Sequence, residues 1–394
     1  MDDRAAGETS EVADRAALAE LVRPVMEAHW REPGFTVPNA ATYPWQWLWD
    51  SCFCALIWAD LGEPDRGVQE LRAAVAHQGP TGFVPHVTYW SDPERLRSFW
   101  GRSRTSCITQ PPMLGHAVAE LARRGVSVPA DVVEAAVRAV WFLLRDRRRS
   151  PGGLVEIVHP WESGADDSPR WDSLLDVGVE RTDLAWYERK GELVRSIRFD
   201  EAGAPVANDG GAVGSVAFSA LVAWNALELV RLTGDDALAA AAESLATALT
   251  ARWDGNLGTW VDDGLTATGS GRLRTLEALL PALVDPDREH VDIALHALVD
   301  PSAHGAPYGP TGVHRAEPCF APATYWRGPA WPQLTYLMWC AAHGAERTDV
   351  ANAMARSLTG GAVRSGLAEY WHPDTAAPGG AVPQSWTGLA LVVA

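Results

Sequence analysis

Apolar residues recur at helical spacing through most of the chain. Gly125 and Gly234 stand where C-cap glycines are expected, and Pro129 precedes a helical run. The alternation typical of strands is sparse, although a small β element is predicted over 153–159. To within several residues at each end, the predicted helices are 12–31, 45–61, 64–77, 111–124, 130–148, 212–233, 235–252, 271–282, 286–298, 328–344, 346–360 and 384–393.

Short links between successive predicted helices indicate antiparallel pairs. The pattern predicts an all-α fold, an (α/α)6 barrel or six-hairpin toroid, formed as one domain over 1–394. A two-domain helical protein is the alternative. Two long connections, 79–110 and 150–211, are rich in Gly, Pro, Trp and charged residues. Because long aperiodic loops with many aromatic residues are usually functional, we expect these to be active-site loops.

Composition narrows the class of protein. The 394 residues are 47% hydrophobic and 21% charged, as in globular proteins. The 33 Lys and Arg residues against 50 Asp and Glu give a net charge of −17, which argues against a nucleic-acid partner. The strongest basic cluster includes Arg124, Arg145 and 147–149. We interpret it as a solvated face at helix ends, without a function.

Cysteine usage and the N-terminal sequence bear on location and cofactors. Five scattered cysteines lack the spacing of a zinc site or a disulfide framework, and no nucleotide-binding or metalloprotease motif is present. The sequence therefore predicts no metal and no cofactor. The acidic N-terminus lacks a signal-peptide pattern, and no apolar run approaches a membrane span. We expect a cytoplasmic protein without a membrane partner.

Carboxylates stand out in two aromatic segments. The segment 159–172, HPWESGADDSPRWD, packs four carboxylates and two Trp residues into one loop. Trp walls and a neighbouring carboxylate would raise the pKa of a general acid there, although an acidic surface loop fits the composition equally well. The segment 366–374 sets Glu369 beside Tyr370 and Trp371. Together the two segments offer the carboxylate pair that glycosidic hydrolysis requires.

Two further clusters are candidates for holding a sugar. In 43–51, YPWQWLWDS, a helix would set Trp45 and Trp49 on one face with Asp50 nearby, although a buried aromatic turn would look the same. In 325–331, YWRGPAW, the glycine allows backbone to approach a ligand, and the arginine either pairs with a carboxylate of the site or reaches solvent.

In this order, YPWQWLWDS, ITQPP (108–112), ESGADDSPRWD, YWRGPAW, and EYW followed by QSWTG (384–388) resemble motifs of glycoside hydrolase family 63 over about residues 40–390. They are most similar to its short bacterial mannosylglycerate and glucosylglycerate hydrolases. The resemblance implies an (α/α)6 barrel that inverts the anomeric carbon, with Asp166 as general acid and Glu369 as general base. The sugar-binding positions that it implies are Tyr43, Trp47, Trp49, Asp50, His86, Gln110, Tyr325, Trp326 and Trp331, to which the motifs add Arg170, Arg327, Gly328 and Trp386.

The sequence departs from the family pattern at the residue that follows Asp166. Asp167 occupies a position that is commonly Asn in the family, and its charge would either raise the pKa of Asp166 or face solvent.

The expected partner is a small α-linked sugar compound, glucosylglycerate or mannosylglycerate, with trehalose as the rival substrate. Two other classes stay open: a non-catalytic carbohydrate-binding toroid, and a sugar lyase or isomerase that would use a His or Tyr base, for which His86 and His372 are available.

Overall fold

Helices dominate the computed structural model, which describes residues 3–175, 183–211, 213–264 and 272–394. The α-helices are α1 (Asp3–His29), α2 (Leu48–Asp60), α3 (Pro64–Val75), α4 (Arg97–Trp100), α5 (Leu114–Arg123), α6 (Ala130–Trp141), α7 (Asp172–Leu175), α8 (Asp183–Arg195), α9 (Val216–Thr233), α10 (Asp236–Thr250), α11 (Arg288–Ala297), α12 (Pro332–Gly344), α13 (Thr348–Ser365) and α14 (Leu389–Val393). A π-helical turn, Phe142–Asp146, extends α6. The 3-10 helices include Pro160–Ser163, Pro169–Trp171, Leu276–Leu283 and Ser385–Gly388.

Short antiparallel strand pairs lie in the connections between the helices. They are β1 (Trp30–Arg31) with β2 (Phe35–Thr36), β3 (Gln46–Trp47) with β4 (Val87–Thr88), β5 (Glu156–Ile157) with β8 (Val213–Gly214), β6 (Ile197–Phe199) with β7 (Pro205–Asn208), β9 (Trp253–Asp254) with β10 (Thr259–Trp260), and β11 (Tyr370–Trp371) with β12 (Pro378–Gly379). The β element predicted over 153–159 is confirmed as β5.

The helices form two concentric rings. In the inner ring α2, α5, α9, the 3-10 helix Leu276–Leu283, α12 and α14 touch in this order, and α14 returns to α2. Each inner element also packs on an outer one: α3, α6, α10, α11, α13 and α1, respectively. This closed ring of six helical hairpins is the predicted (α/α)6 barrel.

Burial follows from the position in the rings. Every residue of α2 from Leu48 to Trp58 is buried, as expected for a helix that is apolar on all sides. Val216–Thr233 is the one helix in the described part of the chain that is long and apolar enough to cross a membrane, and 72% of it is buried inside the protein. Its apolar composition therefore matches its place in the inner ring.

Several helices begin three to five residues later than predicted. The helix predicted over 45–61 begins only at Leu48, because Gln46–Trp47 pairs as a strand with Val87–Thr88. Trp45 and Trp49 consequently do not share a helix face.

Other predicted elements also differ from the structure. The predicted helix 271–282 is a 3-10 helix from Leu276, which contains Pro281. The predicted helix 328–344 begins at Pro332, and 384–393 opens with a 3-10 turn. The predicted loop 150–211 contains α8. Residues 176–182 of that loop, and positions 212 and 271 of predicted helices, lie outside the described residues.

Arg147 corrects the interpretation of the basic cluster as a solvated face. It is 2% exposed and follows the π-helical turn that extends α6. Its guanidinium donates to both carboxylate oxygens of Glu162, at 2.6 and 3.0 Å. Glu162 also accepts from the backbone N–H groups of Thr109 at 3.0 Å and Val158 at 2.8 Å. One buried ion pair thus joins three segments.

We predict that Glu162→Gln lowers the free energy of unfolding by about 3–5 kcal/mol, because it leaves Arg147 buried without its counter-charge. Urea denaturation followed by tryptophan fluorescence measures the change. The exposed pair Arg97–Glu94 provides the matched control, and Glu94→Gln should change stability by less than about 1 kcal/mol. A loss from Glu162→Gln no larger than that of the control would contradict the anchoring role.

Candidate active site

A cleft opens where the inner elements begin. It contains about 430 Å³ of empty space including its mouth. It is lined by Pro38, Tyr43, Trp47, Trp49, Asp50, Gln110, Gly164, Asp166, Tyr325, Trp326, Glu369, Gln384 and Trp386. The cleft therefore gathers residues from all the aromatic motifs of the sequence.

Tight turns place Asp166 at the cleft. The 3-10 helix Pro160–Ser163 ends at Gly164, whose φ of +69° suits glycine. A Cβ there would lie 2.6 Å from the ring of Trp49, so this position has no room for a side chain. The indole N–H of Trp171 then donates to the carbonyl of Ala165 at 2.7 Å. These contacts fix the backbone on both sides of the acidic residue.

The environment of Asp166 favours its protonated form. Burial is the main cause that raises its pKa from 3.8 to about 6; Lys190 opposes the rise, and the negative charge of Asp167 adds to it. The predicted effect of Asp167 thus has a physical basis in the structure. Asp167 is itself buried and lies 3.9 Å from Arg327.

Glu369 lines the cleft from the C-terminal part of the chain, between α13 and β11. Its carboxylate accepts the backbone N–H of Ala381 at 2.8 Å and lies 3.2 Å from the hydroxyl of Tyr43, which donates to it. Its own backbone carbonyl accepts the indole N–H of Trp386 at 3.1 Å. A Cβ at Gly380 would lie 2.3 Å from the carboxylate, so glycine leaves room for it.

Glu369 is 3% exposed, and its pKa is raised to about 7. Burial is the main cause, opposed by the hydrogen bonds from Ala381 and Tyr43 and supported by the charge of Asp166. Both carboxyl groups therefore change protonation state near neutral pH. Such values suit groups that donate and accept protons during catalysis.

Asp50 supplies a third buried carboxylate. It is 2% exposed, burial holds its pKa well above the usual range, and its Oδ1 has no hydrogen-bond partner within the described residues. Asp50 also lines the cleft, so this buried carboxyl group borders the space that a ligand would fill. Beside it, Gln110 accepts the backbone N–H of Trp49 at 3.0 Å, which leaves the amide NH₂ of Gln110 as a donor.

Aromatic rings form much of the remaining wall. Trp326 stacks on Trp331 with ring centroids 3.7 Å apart and planes 9° from parallel. Trp326 also adopts a φ of +57°, a left-handed conformation that costs energy in a non-glycine residue. Trp49 packs edge-on against Trp386. Flat apolar faces beside an unpaired carboxylate suit the C–H faces and hydroxyls of a sugar ring.

Some predicted binding residues lie behind the wall of the cleft. His86 packs against Trp47, and its Nδ1 pairs with the hydroxyl of Ser106 at 2.6 Å. Burial lowers the pKa of His86 to about 3, so its ring is neutral. Trp331 is fully buried beneath Trp326. These side chains support the residues that line the cleft.

Arg170, Arg327 and Gly328 also lie outside the lining. Arg170 is 1% exposed and pairs with the carboxylate of Asp262. Arg327 donates to both oxygens of Asp172, each at 2.7 Å. The carboxylate with which it pairs therefore belongs to the segment 159–172 that carries Asp166. A Cβ at Gly328 would lie 3.0 Å from the ring of Phe320, so the glycine serves protein packing.

Sequence reasoning missed several residues that form the cleft or shape its carboxylates: Pro38, Gly164, Gly380, Ala381 and Gln384. Gln384 opens the motif QSWTG, so its position was visible, but its amide lacked an expected role. The Gly379-Gly380 pair was a signal for close backbone approach to the preceding EYW segment.

Comparison with known proteins identifies the family of this chain. Residues 43–387 match the model of the mannosylglycerate hydrolase MGH1-like glycoside hydrolase domain. A mannosylglycerate hydrolase of Rubrobacter radiotolerans is 30% identical, with 99% of this chain and 98% of the relative aligned. A glucosylglycerate hydrolase of Mycolicibacterium hassiacum is also 30% identical, with 89% and 91% aligned.

A solved structure supports the same family assignment. The crystal structure of the family 63 mannosylglycerate hydrolase from Thermus thermophilus, in complex with Tris and D-glycerate, has a TM-score of 0.80 and 26% sequence identity. The match covers 95% of this chain and 99% of that chain. The resemblance to glycoside hydrolase family 63 is confirmed. The chain belongs to the mannosylglycerate hydrolase MGH1-like family of glycoside hydrolases.

Proposed function

We propose that this glycoside hydrolase cleaves glucosylglycerate or mannosylglycerate with inversion, using Asp166 as general acid and Glu369 as general base. The observation that carries the proposal is that two carboxyl groups with raised pKa values line one aromatic cleft from separate segments of the chain. The names of the relatives support a sugar linked to glycerate as substrate. The free cysteines fit the reducing cytoplasm as location, and one catalytic domain over 1–394 fits the closed ring.

The proposed reaction is a single displacement. Protonated Asp166 donates its proton to the glycosidic oxygen, and the bond from that oxygen to the anomeric carbon breaks. Deprotonated Glu369 takes a proton from a water, whose oxygen forms the new bond on the opposite face of the sugar. The products are a sugar of inverted configuration and glycerate. Proton exchange with solvent then returns both carboxyl groups to their starting states.

The other residues of the cleft would hold the sugar in place. Tyr43 donates to Glu369 and thereby orients the general base. The carboxyl group of Asp50 would form a hydrogen bond with a sugar hydroxyl, while Trp49 and Trp326 would contact the apolar faces of the substrate. Accurate placement of this kind lowers the entropic cost of the reaction.

The alternatives of the sequence analysis have weaker support. A lyase or isomerase with a histidine base lacks support, because neither His86 nor His372 is among the lining residues of the cleft. A non-catalytic sugar-binding toroid has no need for two carboxyl groups with raised pKa values. Trehalose stays a rival substrate, because it presents a glucose unit to the same kind of cleft.

Substituting Asp166→Asn should lower kcat by at least about 100-fold without unfolding the protein, because the amide fills the same space but cannot donate the proton. Hydrolysis assays, with circular dichroism to monitor folding, measure the effect. The neighbouring substitution Asp167→Asn is the matched control and should be mild. Equal losses in the two variants would show that Asp166 is not the acid.

The pH profile of kcat/KM should be bell-shaped, with limbs near pH 6 and pH 7. Below the lower limb both carboxyl groups are protonated and no base remains; above the upper limb both are ionised and no acid remains. Between the limbs the pair holds one proton, and because the pKa of Asp166 is the lower of the two, the reactive form with this proton on Asp166 is the minor one. Asp167→Asn removes a like charge beside Asp166, so the limb near pH 6 should move to lower pH. A profile that stays flat between pH 5 and pH 8 would contradict the assignment.

Proton NMR of early turnover should show the β-anomer of the released sugar first from α-linked substrates, because attack occurs opposite the leaving group. A panel of glucosylglycerate, mannosylglycerate, trehalose and kojibiose reads substrate and stereochemistry together. We expect the glycerate compounds to have the higher kcat/KM. Initial release of the α-anomer would indicate retention, and preference for trehalose would overturn the substrate assignment.

A further inference from the structure

The opposite end of the barrel holds a second cavity. The inner elements begin at the catalytic cleft, and four of them, α5, α9, the 3-10 helix Leu276–Leu283 and α12, end around a cavity of about 590 Å³. The two cavities share no lining residue. Since α5 and α12 contain 10 and 13 residues, a rise of about 1.5 Å per residue separates the two ends by about 15–20 Å.

Aromatic side chains form the floor of this distal cavity. His116 stacks on Trp224 with centroids 4.2 Å apart and planes 26° from parallel. Its Nε2 pairs with the hydroxyl of Tyr336 at 2.7 Å, which fixes both rings. Tyr336 in turn lies nearly parallel to Trp339. Trp339 is only partly buried, so the aromatic floor reaches the cavity surface.

Charged side chains around this floor are balanced. Three acids and three arginines line the cavity, namely Glu120, Glu228, Asp285, Arg123, Arg231 and Arg288. Glu228 is 3% exposed and pairs with Arg123 and Arg231. The acids are therefore held in place by partners instead of being free to neutralise a ligand.

This arrangement disfavours charged ligands. The carbonyl ends of four inner elements and three carboxylates oppose an anion, whereas the three arginines oppose a cation. Aromatic faces combined with fixed donors and acceptors suit a ligand that is neutral, rich in hydroxyl groups and flat on one side.

We propose that the distal cavity is a second carbohydrate-binding site that takes a neutral monosaccharide. The sugar packs on Trp339, where the aromatic floor reaches the cavity surface, and its hydroxyls form hydrogen bonds with the charged side chains around this floor. The site is independent of the proposed hydrolysis, since free sugars that undergo no turnover occupy it.

Calorimetric titration of the full-length protein with D-glucose and with D-mannose tests the proposal. Wild type should bind at least one of them at two sites. Gly344→Trp should block the distal site, because a Cβ at this helical position meets no atom within 4 Å and the side chain can enter the cavity. Gly344→Ala is the matched control and should keep both sites. Trp339→Ala should weaken distal binding by about ten-fold.

Hydrolysis distinguishes this site from the cleft. Gly344→Trp should leave kcat/KM for the glycerate substrates within about two-fold of wild type, whereas Asp50→Asn should remove sugar binding in the cleft alone. One binding site for both sugars in wild type, or two sites that persist in both Gly344→Trp and Trp339→Ala, would overturn the proposal. Dissociation of a wild-type dimer by Gly344→Trp would also overturn it, because the cavity would then be a subunit interface.

Discussion

The buried pair between Arg147 and Glu162 is the contact on which the geometry of the cleft depends. Glu162 stands four residues before Asp166 and also accepts the backbone N–H of Thr109, next to Gln110. The carboxylate of Glu162 thus positions the segment that carries Asp166 relative to α6 of the barrel and to the segment that carries Gln110. The ion pair ties the short 3-10 turns around Asp166 to the end of α6 and to the segment that precedes α5.

The second half of the site depends on a hairpin. Glu369 precedes β11, and its carboxylate turns back to the N–H of Ala381 beyond β12. The absence of a side chain at Gly380 makes this return contact sterically permissible. The barrel therefore contributes a rigid ring, while two different devices, a buried ion pair and a glycine hairpin, bring the carboxylates into one cleft.

The sequence predicted the ring better than the details of its loops. Helical periodicity located the hairpins, because apolar residues recur every three to four positions along the outer helices. The carboxylates Asp166 and Glu369 were visible as residues of aromatic motifs, but their meeting depends on contacts between distant segments.

Those contacts have little signature in the sequence. The clustered arginines around Arg147 look like a solvated helix end, since burial of one member depends on Glu162 across a loop. His86 likewise follows the pattern of a binding residue, yet the packing of Trp47 over it sets it behind the wall. Strand pairing, which shortened the helix before Leu48, involves residues some forty positions apart.

The burial of Glu369 makes the folded protein favour protonation more strongly than the unfolded chain does. Its pKa rises from 4.5 to about 7 on folding, so its contribution to stability is complete below pH 4.5 and is lost as the pH rises through 7. At alkaline pH the ionised group costs the fold about 3 kcal/mol. A carboxyl group that ionises near neutral pH and a maximally stable barrel are therefore opposing demands on this one side chain.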